Sequence, residues 1–163
     1  MMSTSRATGG ERLADMNPFD LRTVLLAKHA QHVVLIHFPI ALFILGVGFD
    51  VVAQWTKNVV TAGAARYNLV AAAIFTPPVL LTGLLAWQWA LGGPRLKGIL
   101  LLHLVIGCFT GLMIMAVGWL HLRSRHAAKP LPIYRLPLEL LAAVLVGLTA
   151  HLGGFLSGVN VSG

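Results

Sequence analysis

With 163 residues, 57% of them hydrophobic and only 10% charged, and a mean hydropathy of +0.81, the chain carries less than half the roughly 25% charge of a soluble domain and reads as a polytopic membrane protein. A formal net charge of +7 and a pI near 10.6 would suggest a nucleic-acid partner in a soluble domain, but here Lys and Arg cluster between apolar runs, where they meet lipid headgroups, and no nucleic acid is expected. The single cysteine, Cys108, lies inside an apolar run, which excludes a disulfide framework, a thiolate metal cluster and covalent haem attachment.

Residues 1–16, MMSTSRATGGERLADM, are polar and rich in small side chains, a composition that predicts a disordered tail. From Asn17 to Ala30, an Asn-Pro start and the spacing of Phe19, Val24 and Leu26 among Arg22 and Lys28 predict a short interfacial helix. No short apolar core precedes a small-residue cleavage site, so the first spanning helix is expected to be its own insertion signal. Four apolar runs follow, at 31–55, 67–90, 97–121 and 136–157, each near the ~20 residues that a bilayer requires. Their short connections predict an all-α, polytopic, four-helix up-and-down bundle over residues 31–158, preceded by the tail and interfacial helix (1–30) and followed by a tail at 159–163. Trp55, Tyr67, Trp119 and Tyr134 mark one membrane interface, Trp87 and Trp89 the other. Pro77 and Pro78 predict a kink in the second helix, which has no charged or imidazole side chain and is expected to pack or face lipid rather than hold a cofactor.

The first run, QHVVLIHFPIALFILGVGFD, places His37 about six residues inside the membrane, or ~9 Å at helical rise, with Pro39 expected close to the helix start. An ionisable side chain at that depth is costly enough to be functional by default. His103 follows about six residues after the third helix begins, and His151 precedes the end of the fourth by about seven. In an antiparallel bundle all three therefore lie ~10 Å below one surface. His29, His32, His121 and His126 fall at interfaces or in loops. Glycines accompany the deep set: Gly48 returns to the helix face of His37, Gly107 and Gly111 follow His103 at one and two turns, and Gly147 and Gly154 flank His151. They leave room for a flat macrocycle, or simply let helices approach closely.

Three chemistries compete for this layer. Two imidazoles from facing helices can ligate a b-type haem without cysteine; the three together could hold zinc or copper; a histidine without either could hydrogen-bond a quinone oxygen or another helix. Haem leads, because the layer is within reach of one membrane surface, is flanked by glycine and has no carboxylate at the same depth. Asp50 and Glu139 lie towards the opposite surface and are expected to pair there with Arg66 and Arg135 rather than to form a proton path. His121, eighteen residues beyond His103, shares its helix face, but no second haem is expected there. No phosphate-cradling glycine loop, hydrolytic triad or paired-carboxylate constellation occurs, so an electron-transfer or anchor subunit is expected rather than a stand-alone enzyme.

Basic residues tie between the two sides: Arg6, Arg12, Arg22, Lys28, Arg95 and Lys97 against Lys57, Arg66, Arg123, Arg125, Lys129 and Arg135. Arg6 and Arg12 are far from the membrane, and Glu11, Asp15 and Asp20 dilute that segment. The positive-inside rule then predicts that the turns after helices one and three are cytoplasmic, with both termini periplasmic, in a bacterial inner membrane.

His32, His37, Phe38, Pro39, Ile40, Ala41 and Asp50, then His103, then His151, Gly153 and Gly154 make the chain resemble the prokaryotic four-helix membrane family designated DUF2231. Members of that family read like HPxxVHFPIAL with a following Asp, a third-helix histidine and a glycine-histidine-glycine-glycine ending, and the likeness covers roughly residues 29–158. The chain departs from the pattern at Val33, where proline commonly follows the first histidine, and at Thr149-Ala150, where a glycine often precedes the last; a role for His32 is weakened more than one for His37. The resemblance implies a membrane protein often found beside or fused to c-type cytochromes. Together these readings predict a b-type haem subunit linking the quinone pool to a periplasmic c-type cytochrome or dehydrogenase, with His37 and His103 as axial pair and His151 next in line, beside other membrane subunits. The alternatives are a non-redox anchor or accessory subunit of a respiratory or photosynthetic complex, and a metal-handling protein using His37, His103 and His151.

Overall fold

The computed structural model describes residues 28–90, 93, 95–127 and 132–157. All regular structure among them is helical: α1 (Lys28–Thr56), α2 (Val59–Leu85), which continues as a π-helical turn (Ala86–Ala90), α3 (Gly98–Ala127) and α4 (Arg135–Leu156). The polar tail, residues 17–27 of the expected interfacial helix and the tail at 159–163 lie outside the described residues. Lys28–Ala30 belong to α1 itself, so Pro39 sits well inside a helix rather than near its start.

Each helix contains a stretch long and apolar enough to cross a bilayer: Gln31–Thr56, Val59–Trp89, Gly98–Ser124 and Arg135–Leu156. Large apolar side chains such as Leu45, Ile74, Leu112 and Val144 are exposed all along their outer faces, the distribution of a bundle solvated by lipid. α2 begins eight residues before the aromatic residue that marks the start of its apolar run, because Asn58 caps it. Its side-chain oxygen accepts from the Val60 amide at 2.8 Å and from that of Thr61 at 3.4 Å, and TAGAAR then continues the helix. Lys57, at φ 55°, makes the tight reversal out of α1. In α4, Pro137 falls in the first turn, where a missing N–H leaves no gap.

Successive helices pack on one another, and the ring closes between α4 and α1 through the sparsest contact. The core lies below the histidines and joins Phe43 and Val47 of α1, Leu69 and Ala72 of α2, Met113, Ile114 and Val117 of α3, and Ala142 and Val146 of α4. Leu69 is wholly buried because two glycines make room for it. A Cβ on Gly46 would stand 2.7 Å from its Cγ, and one on Gly118 would stand 3.1 Å from its carbonyl oxygen while colliding with Ala73. Close approach of this kind supplies the dispersion contact that holds helices together when lipid is as apolar as their side chains.

Candidate functional site

Above that core, towards the end where α1 begins, the four helices diverge around a cavity of about 550 Å3, within the range of ligand and cofactor sites. Ile, Leu and Val form the largest share of its walls, interrupted by His32 and His37 from α1, Thr76 and Gly83 from α2, His103, Gly107 and Thr110 from α3, and Thr149, Gly153 and Gly154 from α4, with Trp87 and Leu96 towards the mouth. α2, expected to pack or face lipid, packs into the bundle and lines one side of this cavity.

His37 Nδ1 lies 2.7 Å from the Val33 carbonyl. A carbonyl only accepts, so Nδ1–H is the donor, and the neutral ring keeps its lone pair on Nε2. This is how ligating imidazoles are commonly fixed. His103, on the diagonal helix, packs its ring along the α4 backbone between Thr149 and Gly153; a Cβ on Gly153 would stand 3.3 Å from its Cε1. Its Nδ1 is buried with no well-aligned hydrogen-bond partner among the described residues, although the Thr149 backbone lies close to the ring; a buried donor or acceptor left unmet costs about 1–3 kcal/mol. Below it, Thr110 and Thr149 join α3 to α4 with hydroxyls 3.1 Å apart, each also within 2.8 Å of a carbonyl on its own helix.

His32 has a different task. Thr82 donates its one hydroxyl proton to Val79 at 2.9 Å, so at 3.2 Å it accepts from His32 Nδ1. The ring lies over Gly83, where a Cβ would come within 2.9 Å. His32 thereby ties α1 to α2 at the cavity mouth, a tie whose only trace in the sequence is Gly83.

The layer of three is reduced to two. His37 and His103 share the cavity, whereas His151 is turned outwards, exposed, with Phe155 packed edge-on at 4.9 Å and 82°. Each step along a helix rotates a side chain by about 100°, and the step from cavity-lining Ala150 carries His151 outwards. No group of three His, Cys, Asp or Glu placed to hold a metal ion occurs among the described residues, and His37, His103 and His151 do not come together as one. Gly48 also faces outwards with open space around it, while Gly107 and Gly154 line the cavity as expected.

The opposite end carries a second polar cluster. Arg135 donates to both carboxylate oxygens of buried Asp50, at 3.1 and 3.3 Å, a pairing anticipated from the sequence. Glu139 does not join an arginine at the interface. It is completely buried and lies 2.8 Å from Nε2 of His121, itself buried.

A family model described as a predicted membrane protein, DUF2231, matches residues 28–161. No curated protein and no solved structure matches the chain.

Proposed function

The chain belongs to the family of predicted membrane proteins DUF2231, and on that footing we propose that it is a membrane-integral electron-transfer subunit that binds one b-type haem in the upper cavity between His37 and His103. The observation that carries the reading is a cavity of about 550 Å3 lined by two imidazoles from diagonal helices, His103, whose buried Nδ1 has no well-aligned partner among the described residues, and His37, whose Nδ1 is taken by the Val33 carbonyl so that Nε2 is the nitrogen left for a ligand. The residues fit the group. Histidines on diagonal helices can approach a ring from two sides, and Gly107 and Gly154 line the cavity without filling it, whereas Gly111 and Gly153 make room for Leu80 and for the His103 ring. When bound, the haem supplies one-electron transfer at a potential set by its axial ligands and the low polarity around it.

The protein's own residues do the rest. His37 is oriented by the Val33 carbonyl, and His103 is held by its packing on Gly153. The His32–Thr82 bond keeps α1 and α2 together at the mouth. With both termini periplasmic, the mouth faces the periplasm. There the exposed Arg95 and Lys97 attract an acidic c-type cytochrome or dehydrogenase at a salt-sensitive rate. The electrons exchange with quinone in the bilayer, and the turns after α1 and α3 meet anionic lipid in the cytoplasmic leaflet of a bacterial inner membrane.

A second reading is favoured by the His32–Thr82 and His121–Glu139 bonds, which show histidines of this chain linking helices: a non-redox accessory subunit of a larger complex. Ligand variants separate the two. His37→Ala and His103→Ala are each expected to abolish a low-spin haem spectrum, while outward-facing His151→Ala keeps it. A spectrum that survives His103→Ala and disappears in His151→Ala would refute the assignment.

A further inference from the structure

The lower end of the bundle holds an acid–base pair that electron transfer through the upper cavity does not use. Glu139 of α4 has 0% and His121 of α3 has 2% of its surface exposed, and they meet at 2.8 Å. Desolvating an ionic pair costs several kcal/mol per ion, and a purely structural link is normally completed by further hydrogen bonds to the remaining lone pairs. Here Oε2 of Glu139 has no partner among the described residues.

Beside the pair lies a cavity of about 310 Å3 whose walls include His121, Ser124, Asp50, Gln54, Arg66 and Arg135. It has room and polar partners for several waters. Val59 and Ala62, both exposed in the first turn of α2, also border it, so it reaches the surface at the α1–α2 turn. His121 lies only three residues inside the end of its spanning segment at Ser124, and Glu139 four residues inside the start of its own at Arg135, which puts both within ~6 Å of the helix ends. Each helix contributes to the electrostatic frame: Asp50 from α1, Arg66 from α2, His121 from α3 and Arg135 from α4, with Asp50 and Arg135 acting directly on Glu139.

We infer that His121 and Glu139 form a proton-binding site, loaded from the aqueous face at the α1–α2 turn through this lower cavity. In the unloaded state neutral His121 donates Nε2–H to the Glu139 carboxylate, and the pair carries one negative charge. A hydronium in the cavity gives a proton to His121 Nδ1, and water remains. The Nε2 proton passes to Oε1 of Glu139, and the imidazole is left neutral with its hydrogen on Nδ1. One N–H and one O–H bond form while the hydronium O–H and the Nε2–H bonds break; no oxidant or reductant takes part, and the pair ends with no net charge. Discharge is the same sequence reversed.

The test uses infrared difference spectroscopy on the full chain in lipid nanodiscs. The only glutamates are Glu11 and Glu139, so a Glu11→Gln chain grown with carbon-13 glutamate reports Glu139 alone without touching the buried pair. A protonated-carboxyl band carrying the isotope shift is expected to grow as the pH is lowered and to be absent in Glu139→Gln. Gly63 borders the cavity, and a Cβ on it would meet nothing within 4 Å, so Gly63→Leu fills the cavity while leaving the pair in place. It is expected to slow deuterium exchange of that band roughly tenfold, the effect of raising the barrier by about 1.4 kcal/mol. If no isotope-shifted carboxyl band appears across about pH 4–9, the proton site is refuted. If Gly63→Leu exchanges at the parent rate, the route through the lower cavity is refuted.

Discussion

Replacing Arg135 by Leu tests whether the lower polar cluster is a buried ionic device or surface decoration. Asp50 has 3% of its side chain exposed and Arg135 17%, and the guanidinium makes two bonds to the carboxylate at 3.1 and 3.3 Å. Removing the cation leaves a carboxylate buried without its partner, and breaking such a pair costs about 3–5 kcal/mol. Because Arg135 is partly exposed and borders a cavity that reaches the surface, the low end applies, about 3 kcal/mol, or roughly 150-fold in the folding equilibrium. The double variant Asp50→Leu/Arg135→Leu removes both charges and is expected to recover most of that loss, since an apolar pair of similar volume is commonly as stable as the ion pair. The assay is reversible unfolding in mixed micelles followed by circular dichroism, with the four chains of the double-mutant cycle measured together. A cost below about 1 kcal/mol for Arg135→Leu, the value of a solvated surface pair, or a double variant no better than the single one, would show that Asp50 and Arg135 are not a buried ion pair.

Gly118→Leu is expected to separate α2 from α3 and destabilise the bundle by at least about 3 kcal/mol, because its side chain would meet Ala73 and the Leu69 backbone; Gly48→Ala, with open space at that Cβ, is expected to stabilise by up to about 1 kcal/mol in the same unfolding assay. Thr82→Val removes the acceptor of His32 and is expected to cost about 0.6 kcal/mol, the average for a hydrogen bond between spanning helices; a loss above about 2 kcal/mol would show that this bond organises the mouth rather than steadying it. A cysteine at Ser124, introduced into a Cys108→Ala chain, is expected to resist membrane-impermeant maleimides in intact cells, and labelling there would reverse the orientation.

The four spanning helices were legible because uninterrupted apolar runs of bilayer length admit no other spanning structure. The common layer of His37 and His103 was legible from depth alone, since six residues in from the same surface on two helices of the same direction fixes a common depth. What depth does not give is rotation about the helix axis. In a soluble helix a polar face marks the outside, but on a spanning helix the outer face is apolar too, so composition alone leaves open that Ala150 lines the cavity and His151 is exposed on the outside. The same uncertainty in rotation misplaced Gly48. The His121–Glu139 contact left more trace: Glu139 follows Arg135 by one helical turn, and His121 shares the inward face of His103. Both signals were masked by the ordinary expectation that charges near helix ends face headgroups.

If the upper cavity holds haem, the absorption spectrum of the purified wild-type protein and its haem-to-protein ratio will show it. One low-spin b-type haem per chain, with reversible reduced-minus-oxidised bands, is the result expected from two histidine ligands. Protein that folds fully in haem-replete cells yet carries no stoichiometric haem and shows no such bands would contradict it.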